Sequence, residues 1–185
     1  MHYTIPNNLL STNNIKTIKG EKFGYTTYIM YLAPFTQNSK GINLCSHASA
    51  GCAKACLFSS GAARYDRVQE GKRNKTEYFL ADRAKYLAQL DKEIGSIVKK
   101  AKHKGTDNIP VIRLNGTSDI AWEKFKLREG KNIFELYPNV QFYDYTKNYI
   151  RFQKVLPANY HLTFSMSETN GDVGKGSQRG NGFRS

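Results

Sequence analysis

FGYTTYIMYLAPFTQNSKGINLCSHASAGCAKACLF, residues 23–58, governs how the rest of the chain is read. Its first ten residues are dense in aromatic and β-branched side chains, which suit a well-covered strand. Pro34 lacks an amide donor and closes the run. Residues 36–51 carry Gly41, Gly51 and many small polar side chains, so they read as loop. That loop delivers Cys45, Cys52 and Cys56 in the spacing Cys-x6-Cys-x3-Cys.

These are the only three cysteines of the chain. An odd number, packed into one short segment, argues against a disulfide framework and for a metal. Structural zinc takes four ligands, commonly as two CxxC-like pairs, and no second pair exists here. His47, a distant His161 or an Asp is then the candidate fourth ligand. Three cysteines without a fourth also suit a four-iron four-sulfur (4Fe-4S) cubane, in which each thiolate holds one iron and the last iron stays open to a small ligand. A third reading is three buried thiols acting as small hydrophobes. The surrounding Ser, His, Gly and Lys side chains argue against it.

Working outward, residues 59–75 (SSGAARYDRVQEGKRNK) form a small, basic stretch with Arg64, Arg67, Lys72, Arg73 and Lys75. Such a run is usually a solvated face, and here it is also placed to neutralise a cluster or grip phosphate. A helix is expected over about 75–102, where Leu80, Ala84, Leu87, Leu90, Ile94 and Ile97 recur at three- and four-residue steps. Strands are expected at 109–114 (IPVIRL), 140–145 (VQFYDY) and 160–165 (YHLTFS), with helical turns within 121–137 and a short helix over 148–156.

Strands alternating with helical connections predict parallel βα units, which place ligands at the C-terminal strand ends. Four such strands are too few to close an eight-stranded barrel. The expected fold is therefore α/β, a partial or open parallel (βα) barrel. It forms one domain, with an extended lead-in over 1–22, a core over 23–169 and a Gly-rich basic tail over 170–185.

Each expected strand ends in polar residues, and the four ends are expected to converge. Asn115, Thr117, Ser118, Asp119, Lys147, Ser165, Ser167 and Glu168 are the candidate cofactor-binding residues beside the cysteines. Turn and cap chemistry, or a simple ion pair at Lys147, competes with that role at each position.

Lys and Arg number 28 against 15 Asp and Glu, a net charge of +13 that would attract nucleic acid or another polyanion. No apolar run approaches the roughly 18 residues of a membrane span. Residues 1–8 lack both the basic and the apolar region of a secretory signal, so a cytoplasmic location is expected.

A three-cysteine cluster in the loop after the first strand resembles the plan of radical S-adenosylmethionine enzymes, whose cofactor chelates the open iron. The spacing differs from their usual Cys-x3-Cys-x2-Cys, and no clear Gly-Gly-Glu follows the second strand. Taken together and in order, the cysteine loop, NGTSD (115–119), FYDYTKN (142–148) and YHLTFSMSETN (160–170) resemble the phage gene product 88 family over about residues 23–170. The resemblance implies an iron-sulfur protein of viral origin, without an established reaction. The cofactor it implies is a 4Fe-4S cluster on Cys45, Cys52 and Cys56, with S-adenosylmethionine as a candidate ligand. The function so expected is either a radical-SAM-like or redox enzyme, or a relative that keeps its cluster for structure or electron transfer. The alternative is a zinc-stabilised, basic nucleic-acid-binding module without catalysis.

Overall fold

A computed structural model describes residues 3–12, 23–56, 63, 65–103 and 109–169. The Gly-rich tail expected over 170–185, and most of the second half of the lead-in, lie outside the described residues.

The chain is a mixed α/β structure built on a five-stranded sheet. Strands β1 (Leu10–Ser11), β2 (Tyr25–Met30), β3 (Ile109–Arg113), β4 (Gln141–Thr146) and β5 (Tyr160–Phe164) lie side by side in sequence order. β1 runs antiparallel to β2, and the other three pairings are parallel. The lead-in thus contributes an edge strand. Its backbone is held by helix residues: the Glu93 carboxylate accepts from the amides of Leu9 and Leu10 at 2.8 and 3.0 Å, and the Lys75 ammonium donates to the Leu9 carbonyl.

The helices are α1 (Ala50–Lys54), α2 (Asp66–Ala81), α3 (Arg83–His103) and α4 (Ile133–Leu136), with 3-10 turns at Trp122–Lys124, Arg128–Gly130 and Tyr149–Gln153. The single helix expected over 75–102 is therefore two. α2 starts before the expected helix, within the small, basic stretch, whose polar residues (DRVQEGKRNK) show no apolar periodicity. Asp82 breaks the pair, with φ −138° and ψ 75°, and its carboxylate accepts from the Lys85 amide at the start of α3.

Phe142 and Tyr160 on the sheet stack or edge against Phe134 of α4, while Leu90 and Ile94 of α3 are fully buried in the same core. β4 and β5 alternate strictly: Phe142, Asp144, Thr146, Tyr160 and Leu162 point inward, and Gln141, Tyr145, His161 and Thr163 outward.

One feature of the pairing positions the site. β2–β3 and β4–β5 each pair over five residues, but β3–β4 pairs only at Val111↔Gln141 and Ile112↔Phe142. Toward their C-terminal ends β3 and β4 part. Asp144 fills the opening, its carboxylate accepting from the Asn115 amide at 2.7 Å.

Candidate functional site

A cavity of about 430 Å³ lies at the C-terminal ends of the four parallel strands. It is lined by the cysteine loop and by the segments after β3, β4 and β5. All eleven sequence-derived candidates border it: Cys45, Cys52, Cys56, Asn115, Thr117, Ser118, Asp119, Lys147, Ser165, Ser167 and Glu168.

The cysteines are placed by short-range rules. Ser49 caps α1, its hydroxyl accepting from the Cys52 amide at 3.1 Å, so Cys52 sits in the first turn and Cys56 just past the end. Cys45 is held by the loop after β3, its thiol donating to the Thr117 carbonyl at 3.5 Å. The Asp119 amide donates to the Leu44 carbonyl, which ties the loop after β3 to the cysteine loop. Gly116 lets the same loop lie against the end of β2, where a Cβ would stand 2.6 Å from the Met30 carbonyl oxygen.

Several candidates are occupied in holding the cavity's shape. Asn115 is buried, and its Oδ1 accepts from the Ser118 hydroxyl (2.9 Å), the Ile120 amide (3.0 Å) and the Trp122 indole (3.0 Å), while its Nδ2 donates to the Ile120 carbonyl and to Asp144. Asp119 accepts from the Lys147 amide and from Arg151. Lys147 reaches the Ser165 hydroxyl at 3.2 Å and the Met166 carbonyl at 3.3 Å. Glu168 accepts from the Gly51 amide at 2.8 Å, closing the last segment onto the N-terminal turn of α1. The Ser49 hydroxyl and backbone amides hold its carboxyl below the usual range. Thr117 donates its hydroxyl to the Leu32 carbonyl.

Beneath the floor runs a buried polar network in which sequence reasoning had singled out Asp119 but not Arg151 or Glu123. Arg151 grips Glu123 with two hydrogen bonds (3.1 and 2.8 Å), pairs with Asp119 and donates to the Tyr160 hydroxyl at 2.9 Å; that hydroxyl lies 3.1 Å from Asp144. Burial pushes the Asp144 carboxyl up to about 7, against the opposing pull of the Asn115 amide, the Tyr160 hydroxyl and two arginines. Arg113 and Tyr145 also line the cavity and were missed. The one signal for Arg113 is a cation inside the apolar run IPVIRL.

A family model described as Gene product 88 matches residues 8–185. The chain belongs to the Gene product 88 family. No curated protein and no solved structure matches it. Membership of this phage family makes it a viral protein, and among the described residues no helix is long and apolar enough to cross a membrane.

The family resemblance implies a metal cofactor, which the cysteines at this cavity would hold. Burial pushes the Cys45 thiol up to about 11, against a backbone hydrogen bond at Phe35, and the charges of Asp119, Cys56 and Cys52 add to the rise. Lys72 is buried; burial lowers its pKa, and the charge of Cys56 opposes that lowering. A cation therefore stands near the thiolates that a metal would require. Among the described residues, no three His, Cys, Asp or Glu side chains are gathered for one metal ion. Zn–S bonds of about 2.3 Å need sulfurs nearly in contact, whereas a cubane anchors each thiolate at a separate iron corner. Three thiols bordering one cavity are the number of protein ligands that a cluster with one open iron takes.

Proposed function

We propose that this chain binds a 4Fe-4S cluster through Cys45, Cys52 and Cys56, leaving the fourth iron open toward the cavity. The observation that carries the reading is that every cysteine of the chain borders one cavity at the C-terminal ends of parallel strands. Such strand ends are where α/β proteins place reacting ligands. The sequential order of β2 to β5 supports a finer reading, because it is the order of an arc of a (βα) barrel, the plan radical S-adenosylmethionine enzymes use.

In this arrangement the three thiolates hold the cluster and Lys72 offsets part of its negative charge. Glu168 and Ser49 fix the helix that carries Cys52, and Thr117 fixes Cys45. The bound cluster would supply a Lewis-acidic, redox-active iron. S-adenosylmethionine is a candidate ligand of that iron.

Anaerobic purification followed by iron, sulfide and zinc analysis tests the reading. A brown protein with about four irons and four sulfides per chain, lost in Cys45→Ser, Cys52→Ser and Cys56→Ser, is expected. One zinc without sulfide would overturn it and favour the zinc-stabilised module. For chemistry, reduction in the presence of S-adenosylmethionine should release 5′-deoxyadenosine if the radical reading holds.

A further inference from the structure

The charged groups around the cavity are unequal in what they have left to offer. Asp119, Lys147 and Glu168 are engaged by Arg151, by the 165–166 backbone and hydroxyl, and by the Gly51 amide. Arg113 differs. It ends β3 on the outward face, and its guanidinium lies over the Tyr145 ring with 4.9 Å between the guanidinium carbon and the centroid. Its Nε is buried and has no hydrogen-bond partner among the described residues. The nearby Asp144 carboxylate is spoken for by Asn115 and Tyr160. A guanidinium is charged at any working pH, and a buried N–H left unpaired is costly, so an arginine held this way at a cavity wall is arranged for an anion.

We infer that Arg113 is the anchor for an oxyanion, the carboxylate or phosphate group of a small ligand held in the cavity beside the cysteines. Tyr145 holds the guanidinium through its ring face, and Arg113 borders the cavity, so a charged multi-donor group stands at its wall. The inference adds a ligand class to the proposed site. It needs the thiols and Arg113, and it stands whether or not iron is bound there.

The chain's own cysteines provide the probe, since all three border this cavity and there are no others. The full chain, freed of metal by chelation under reducing conditions, is alkylated in parallel with iodoacetate and with iodoacetamide. The same thiolate attacks the methylene carbon of either reagent and displaces iodide, so the ratio of the two rates cancels thiolate fraction and leaves the preference for a carboxylate. Relative to free cysteine, the ratio is expected to be raised about fivefold. It should fall to near the reference in Arg113→Gln and be only partly kept in Arg113→Lys, which retains charge without the fork. Lys99→Gln, an exposed lysine on α3 that does not border the cavity, removes the same charge and should leave the ratio unchanged. An equal ratio in wild type and Arg113→Gln overturns the inference.

Protection experiments on the wild type do not depend on any variant folding. Slowing of iodoacetamide by inorganic phosphate assigns a phosphoryl ligand, and slowing by acetate assigns a carboxylate. Protection by neither overturns the inference. A raised, Arg113-dependent ratio in a protein that never binds iron would sink the cluster reading alone, and iron binding with a flat ratio would sink this one alone.

Discussion

Asp144 keeps a carboxyl inside the sheet beside Phe142 and Thr146, and the cost of burying it sets a pH signature. Its folded pKa lies near 7 against an ordinary value of 3.8, so the folded state holds a proton that the unfolded state has released between those limits. Its contribution is intact below about 3.8 and is lost as pH rises to about 7. Denaturant midpoints across that range should show Asp144→Asn with a flatter profile than wild type; parallel profiles would refute the assignment. Asn115 has a different weight: removing its side chain strands the Trp122 indole, the Ile120 amide and the Ser118 hydroxyl. Asn115→Ala is expected to cost about 3 kcal/mol by urea unfolding. Sequence reasoning put Asn115 at the cavity because polar residues follow a strand. That it turns inward and is saturated depends on β3 and β4 parting above Ile112, which no local pattern encodes. Arg113 was passed over for the same reason, its direction being set by the register of neighbouring strands.

At the scale of elements, one buried hydroxyl ties the segment after β2 to α2. Thr76, fully buried in α2, accepts from the Ala33 amide at 2.8 Å and donates to the Lys72 carbonyl. Thr76→Val keeps the shape and strands the amide, at an expected cost of about 1–3 kcal/mol in chemical unfolding. The same tie helps set Lys72 beside Cys56, so the loss should also change how fast Cys56 is alkylated. Glu168 does comparable work for α1. Glu168→Gln keeps the size and removes the charge at the helix start, and faster alkylation of Cys52 and Cys56 is expected, with an unchanged rate counting against the clasp. The strands were readable because β-branched and aromatic runs ended at Pro34, Gly116 and Lys147. The boundary between α2 and α3 was not. Their apolar periodicity passes nearly unbroken through residue 82, and the break rests on Asp82 capping rather than on glycine or proline.

For the molecule as a whole, strands laid down in sequence order bring four distant loops to one end of the sheet, so residues 45 and 168 share a cavity. Convergence of the strand ends followed from strand–helix alternation, since parallel strands put all their C-terminal ends together. The antiparallel edge strand β1 did not follow from it, because two residues, Leu10–Ser11, carry no periodic signal and are secured by Glu93 and Lys75 far along the chain. The proposed cluster, held by three cysteines at this shared end, has one iron unlike the rest. Mössbauer spectroscopy of anaerobic protein loaded with isotopically enriched iron reads this directly. Three irons in one environment and the fourth in another, the fourth shifting when a small ligand is added, is the predicted result. Four equivalent irons, or no cluster signal in a protein that carries zinc, would contradict it.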